Sequence, residues 1–383
     1  MHHSHYDVIV LGVGGMGSAA CHHLARRGKR VLGIERFDIP HAMGSSHGVT
    51  RIIRQAYYEH PSYVPLLRRS YALWRELETG FGEQLLHVTG SVDAGAPDDE
   101  VFTGSYDSCR LHDIPHEVFS SAELAARYPG YHLPSDHLAL YQPDGGFVLS
   151  ERAIVAHVVA AQAAGAEIHA RERVLDWDAS SDTVRVETDH GSYETNSLVI
   201  TTGAWIGQHV PELAEVAVPE RQVLAWLQPQ NPEDFVPEHF PVFNLQVPEG
   251  RYYGLPIFGV PGFKFGRYGH LGGTANPDDL DREATPTDET LLRSFAERYF
   301  PTGAGPTMAL RACLFTNTPD GHFILDRHPA YPNVILASPC SGHGYKFCPV
   351  IGEILADLAV EDETKHDISL FRLDRSRKQL GAE

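Results

Sequence analysis

Apolar residues open the chain as a short strand, Asp7 to Leu11, then give way to Gly12, Gly14 and Gly17. Ala19, Ala20, Leu24 and Ala25 follow with helical spacing, Gly28 stops the run, and Arg30 to Ile34 reads as a second strand ending on Glu35. The pattern predicts a strand–turn–helix–strand unit at the very start. A second helix is predicted over Tyr63 to Glu78, where Leu66, Leu73, Trp74 and Leu77 share a side. A third covers the alanine-rich stretch Glu151 to Ala164, with Gly165 suited to the left-handed cap position. Val184, Val186 and Thr188 alternate with polar residues, and Ser197 to Thr201 reads as a buried strand. Leu224 to Leu227 and Arg251 to Leu255 predict strands in a β-rich middle region punctuated by Pro and Gly from 229 to 275. Near the end, a strand over Asn333 to Ala337 leads into a turn at Ser341 to Gly344. A helix follows, with Ile351, Ile354, Leu355 and Leu358 on one face.

The pattern implies an α/β fold in which a Rossmann-like nucleotide-binding domain is assembled from separated segments, 1–44, 151–210 and 311–383. The remaining stretches, 45–150 and 211–310, are expected to form a second domain on a mostly antiparallel sheet. A length of 383 residues agrees with about two or three domains.

Composition narrows the partners. Asp plus Glu number 50 against 31 Lys plus Arg, a formal charge of −19. Nucleic acids and anionic membrane surfaces recruit clustered cations, so this balance excludes them as expected partners. No run reaches the roughly 18 apolar residues of a membrane span, and Met1 to Asp7 is polar with no room for a signal peptide. Cys21, Cys109, Cys313, Cys340 and Cys348 form no CxxC pair, which suits free thiols in a reducing cytoplasm. The 23 histidines include His22-His23 on the first helix and His2, His3 and His5 at the terminus, but no metal-ligand spacing. No metal is expected.

Gly12, Gly14 and Gly17 carry the spacing of a dinucleotide-binding turn. The first allows the tight turn, the second lets backbone approach a pyrophosphate, and the third permits close helix–strand packing. The helix N-terminus adds partial positive charge for the pyrophosphate. Glu35 stands where a carboxylate accepts hydrogen bonds from ribose hydroxyls. An acid there disfavours a 2′-phosphate, leaving FAD or NAD. Arg51 and Arg54, three apart after the Gly44-Ser45-Ser46-His47-Gly48 loop, either face a ligand or are two surface cations.

The run from Gly44 to Arg54, with Tyr57 and Tyr63-Val64-Pro65-Leu66, resembles the monomeric sarcosine oxidase and N-methyl-tryptophan oxidase family. These are flavin amine oxidases related to D-amino-acid oxidase. The likeness continues in collinear order through Thr202-Gly203-Ala204-Trp205, Tyr252-Tyr253-Gly254-Leu255-Pro256 and Phe263-Lys264-Phe265-Gly266. It ends in Ala312-Cys313, Pro319-Asp320 and Ser341-Gly342-His343-Gly344-Tyr345-Lys346-Phe347. The resemblance implies FAD, attached through a cysteine sulfur for which Cys313 is the match. Taken alone, a free cysteine is more often a small buried hydrophobe. The matching stretches place Ser45, His47, Thr50, Gly203, Gly342, His343, Gly344 and Lys346 around the cofactor. Arg54 and Lys346 match the pair that binds the substrate carboxylate, where charge-assisted hydrogen bonds orient the α-carbon. Arg51 matches a second arginine near the flavin, and Lys264 matches the lysine that activates dioxygen. Tyr253 is a retained aromatic of the substrate cavity.

Three positions depart from the family. Phe315 stands where the sarcosine oxidases carry a substrate-facing tyrosine. Ser46-His47 replaces a His-His pair. The family histidine after the oxygen-activating lysine falls near Tyr268 or Gly269, with His270 the histidine available nearby as a third catalytic candidate. The implied activity is oxidation of a secondary amino acid, N-methylated or cyclic, by a single chain that reduces dioxygen to hydrogen peroxide. A dehydrogenase using another acceptor, a non-catalytic flavoprotein scaffold and, from the fingerprint alone, an NAD-linked enzyme are the competing readings.

Overall fold

The computed structural model describes residues 4–375; His2 and His3 lie outside them. The opening strand spans Ser4–Leu11 and runs parallel to Val31–Ile34 on one side and Ser192–Ile200 on the other. Glu167–His169 extends this sheet beyond Val31–Ile34, and Val334–Ser338 lies parallel to the C-terminal half of Ser192–Ile200. An antiparallel hairpin, Val174–Ala179 and Val184–Thr188, pairs with the N-terminal half of that strand. Ile9, Val10, Leu11, Val199, Ile200, Ile335 and Leu336 are fully or almost fully buried, as expected of strands covered on both faces.

Helix Gly15–Arg26 packs against helices Ser150–Ala163 and Cys348–Glu361. Its close seat on the first strand depends on Gly17, where an added Cβ would stand 1.8 Å from the Gly12 carbonyl oxygen. Helix Tyr63–Phe81 runs one turn further than its apolar spacing predicts and stops at Gly82, whose φ of +77° is the left-handed cap. Gly165 has the same role after Ser150–Ala163, with φ +95°.

The second sheet has eight strands. Its central run places Thr307–Asn317, Val218–Leu227, Phe263–Arg267, Gly250–Leu255, Val242–Val247 and Ser91–Gly95 side by side. All of these pairings are antiparallel except the last. Side chains alternate between its faces. Val92, Ala94, Phe243, Leu245, Tyr252, Phe263 and Phe265 pack into one core with Leu292, Phe295, Ala296 and Tyr299 of helix Pro286–Tyr299. Tyr252 and Phe295 stack at 3.7 Å between ring centroids. The alternate residues Asp93, Asn244, Tyr253, Leu255 and Lys264 face the other way. That helix escaped the sequence reading although Thr285 and Asp288 cap it reciprocally.

The segment boundary expected at 311 falls inside Thr307–Asn317. This strand belongs to the second sheet because it pairs along its length with Val218–Leu227, and the chain returns to the first sheet at Ile324–Arg327. Among the described residues, no helix is long and apolar enough to cross a membrane.

Candidate active site

Two adjoining cavities lie where residues of both sheets meet. The larger, about 390 Å³, is lined by Gly12, Gly14, Glu35, Ser45, Gly203, Cys313, Phe315 and Gly344, among others. The smaller, about 50 Å³, is lined by Thr50, Arg54, Asn244, Lys264, Tyr268, His343 and Lys346. Arg51, Tyr253, Gly342 and Tyr345 line both, so the two cavities share a wall.

The larger cavity has the features of a dinucleotide cradle. Gly12 turns with φ +88°, and its added Cβ would meet the Thr201 backbone at 2.9 Å. A Cβ on Gly14 would meet nothing within 4 Å, so the turn leaves open space there for a pyrophosphate. The Glu35 carboxylate accepts from the Val13 and Phe37 amides at 2.9 and 3.0 Å, which fixes it at the end of the second strand. The Ser45 and Thr202 hydroxyls, both on the cavity wall, are buried without a hydrogen-bond partner. Unpartnered buried hydroxyls are uncommon in native proteins, and a polar ligand satisfies them. FAD therefore fits the residues present.

Cys313 is 2% exposed. Its Sγ lies 3.8 Å from an Arg51 Nη and 3.9 Å from the Ser45 carbonyl oxygen. Arg51 is held by the Thr50 and Ser45 carbonyls at 2.9 and 2.7 Å. Phe315, expected against the substrate, lines the larger cavity, its ring lying over Gly342 where a Cβ would come within 2.6 Å.

The smaller cavity is dominated by buried cations. Arg54 is 1% exposed. One Nη donates to both oxygens of Glu59 at 2.9 and 2.7 Å and the other to the Ala56 carbonyl. Its Nε is 3.9 Å from Asp93. Glu59 and Ala56 thus engage both Nη atoms and Asp93 faces Nε, while the guanidinium still lines the cavity. Burial alone lowers the pKa of Arg54, but Glu59 and Asp93 outweigh it and hold the guanidinium charged. Burial likewise raises the Glu59 pKa, yet Arg54, His343 and Lys346 bring it down to about 2.

Lys346 donates to the His343 carbonyl at 2.6 Å. Burial, reinforced by Arg54 and opposed by Glu59, pushes its ammonium down to about 7. His343 is fixed by Tyr57, whose hydroxyl lies 2.6 Å from Nδ1, and by the Gly321 carbonyl 2.9 Å from Nε2. Nε2 therefore carries the proton and Nδ1 accepts from Tyr57.

Lys264 is 2% exposed and donates to the Gly48 and Thr50 carbonyls at 2.8 and 2.6 Å. Burial and then Arg51 drive its pKa well below the ordinary lysine value. The loop carrying those carbonyls is strained: Gly48 has φ +93° and the β-branched Val49 φ +73°. Glu151 holds it, accepting from the Gly48 amide at 2.7 Å and the Val49 amide at 3.0 Å.

His270 is not brought to either cavity. It sits past the end of Phe263–Arg267, with Nε2 2.8 Å from Asp288, beside Arg221. The turn after Arg267 points Tyr268 into the cavity and His270 out of it. His47 is buried but lines neither cavity; burial and then Arg51 push it down to about 3. Thr50, His343 and Lys346, grouped with the cofactor from sequence, line the smaller cavity. Sequence reasoning missed Glu59, Asp93, Glu151 and Asn244. Asn244 carried a readable signal, being a polar residue at an alternate position of the apolar strand Val242–Val247.

Residues 7–358 match the FAD dependent oxidoreductase (DAO) family, to which the chain belongs. Monomeric sarcosine oxidase of Streptomyces avermitilis is 42% identical over 371 residues, with 96% of each chain covered. N-methyl-L-tryptophan oxidase of Salmonella enteritidis is 34% identical, covering 97% of this chain and 99% of its own. Among solved structures, the open form of NikD, an amino acid oxidase, superposes with a TM-score of 0.83 at 26% identity, covering 96% of this chain and 97% of its own. The chain is a FAD-dependent amine oxidase of the sarcosine oxidase type.

With a pKa near 7, Lys346 is charged below neutrality and loses its proton as pH rises. A carboxylate ligand favours the charged form. Affinity for propionate, followed by flavin absorbance, is therefore highest below pH 7 and weakens above it by up to about tenfold per pH unit. Lys346→Met flattens the profile; a flat profile in the unsubstituted protein contradicts the assignment.

Proposed function

We propose that the chain oxidises a small secondary amino acid, N-methylated or cyclic, to its imine, with dioxygen as the final acceptor and hydrogen peroxide as the second product. The observation that carries this reading is the shared wall. Arg54 and Lys346 both line a cavity that adjoins the FAD cradle across Arg51, Tyr253, Gly342 and Tyr345. When bound, FAD supplies the hydride acceptor and the route of electrons to dioxygen.

Arg54 and Lys346 hold the substrate carboxylate, and the low local dielectric strengthens both bonds. With the carboxylate anchored, the α-carbon hydrogen is directed across the shared wall. The cavity of about 50 Å³ favours a substrate of few heavy atoms. Tyr253, Tyr268 and Phe315 bring aromatic rings together at this end, with Tyr268 5.2 Å from Tyr253 and 5.6 Å from Phe315, and they exclude water. Lys264, fixed on the Gly48 and Thr50 carbonyls, presents its amino group to dioxygen, with Arg51 as the neighbouring positive charge. Cys313 is assigned as the point of flavin attachment, supported by its place on the cradle wall beside Arg51. The chain acts alone, in keeping with its similarity to monomeric sarcosine oxidases. Its free cysteines suit the cytoplasm.

Two measurements test this reading. Anaerobic mixing with sarcosine, N-methyl-tryptophan, pipecolate, proline and a simple D-amino acid bleaches the flavin band near 450 nm with at least one secondary amino acid. The limiting rate rises from pH 7 to 9, because the neutral amine reacts. No bleaching, or a falling rate, contradicts the proposal. Acid precipitation leaves flavin with the unsubstituted protein and releases it from Cys313→Ser; release from both contradicts covalent attachment.

A further inference from the structure

Asn244 lies on the strand Val242–Val247, opposite Asp93 on one neighbouring strand and opposite Tyr253 on the other. The three side chains form a row on the cavity face of the second sheet. Opposite residues in such a row stand about 5 Å apart at their Cβ atoms. Asn244 is 2% exposed and lines the smaller cavity, and its side chain makes one hydrogen bond among the described residues, from Nδ2 to Asp93 Oδ1 at 2.8 Å.

Asp93 fixes which way this amide points. Its other oxygen accepts from the Ser105 hydroxyl at 2.7 Å, and its charge faces Arg54. The Asn244 NH₂ donates to Asp93, so its amide oxygen is turned away from that carboxyl. The amide oxygen is left without a partner among the described residues. An amide oxygen held in this direction on a cavity wall is open to a donor from a ligand.

We propose that Asn244 Oδ1 accepts the N–H of the substrate amine and selects substrates that carry one. This rests on the amino acid oxidase reading above. Once Arg54 and Lys346 hold the carboxylate, the amine is the one remaining polar group of a small secondary amino acid. Its neutral form has one N–H and one lone pair. Bonding the N–H to Asn244 leaves the lone pair free. As the Cα–H electron pair leaves as hydride for FAD, that lone pair becomes the second bond of C=N and the N–H stays on nitrogen. The nitrogen gains positive charge, so its bond to Oδ1 strengthens along the reaction, which is the condition for lowering the barrier. A tertiary amine has no N–H to offer in its neutral form.

Two unreactive acids of matched shape test the contact: pyrrole-2-carboxylate, which has an N–H, and furan-2-carboxylate, which has an oxygen in its place. Their dissociation constants are measured by calorimetry on the flavin-loaded protein and on Asn244→Leu. The unsubstituted protein binds the pyrrole acid about tenfold more tightly than the furan acid. In Asn244→Leu the ratio falls to about one while furan-2-carboxylate keeps its affinity, a control that the cavity is intact. An equal ratio in both proteins overturns the role of Asn244. Failure of both acids to bind the unsubstituted protein overturns this proposal together with the carboxylate site. A pyrrole preference that Asn244→Leu abolishes, in a protein that no amine bleaches, upholds the recognition and overturns the oxidase reading alone.

Discussion

The site depends on keeping several cations out of water without cancelling them. Arg54, Lys264 and Lys346 are each at most 5% exposed. An isolated buried charge is strongly disfavoured, so each is supported by a different device. Arg54 has the carboxylates of Glu59 and Asp93 and the rings of Tyr57 and Tyr58, each 4.3 Å from its guanidinium carbon. Lys346 has a single carbonyl and gives way, its pKa falling to about 7. Lys264 has two carbonyls of a strained loop whose amides are pinned by Glu151, and burial beside Arg51 still drives its pKa well below the ordinary lysine value. The support is complete enough to fold and incomplete enough to leave donors for a ligand.

That arrangement requires two sheets. The first supplies the glycine turn and Glu35 for the dinucleotide, and the second presents Asp93, Asn244, Tyr253 and Lys264 on one face while burying the alternate residues against Phe295 and Tyr299. The segment from Ser45 to Arg54 runs between them and contributes to both cavities. A carboxylate anchored on this segment is therefore close to the dinucleotide cradle by construction, and orientation follows from packing rather than from a moving part.

Much of this was legible in the sequence, for identifiable reasons. The glycine turn, its flanking strands and the helix after Lys346 have local periodicity that tertiary contacts reinforce. Arg51, Arg54, Lys264, Cys313 and Lys346 were readable because their local runs resemble a known family. Asp93, Glu59 and Glu151 were not, since an acid within a run says nothing about which cation or backbone amide it will meet across 5 to about 100 residues. Tyr268 and His270 show the limit most clearly. The residues are two apart, and only the turn after Arg267 decides that the tyrosine enters the cavity and the histidine meets Asp288.

The central claim is that a carboxylate clamp orients the amine at the flavin. Its most direct test compares anaerobic flavin reduction by a secondary amino acid with reduction by the same amine lacking the carboxylate, sarcosine against dimethylamine. Two charge-assisted hydrogen bonds are worth about 3–6 kcal/mol together, so sarcosine reduces the flavin at least about 100-fold faster at equal low concentration. Equal rates, or a faster reaction with dimethylamine, would contradict the account.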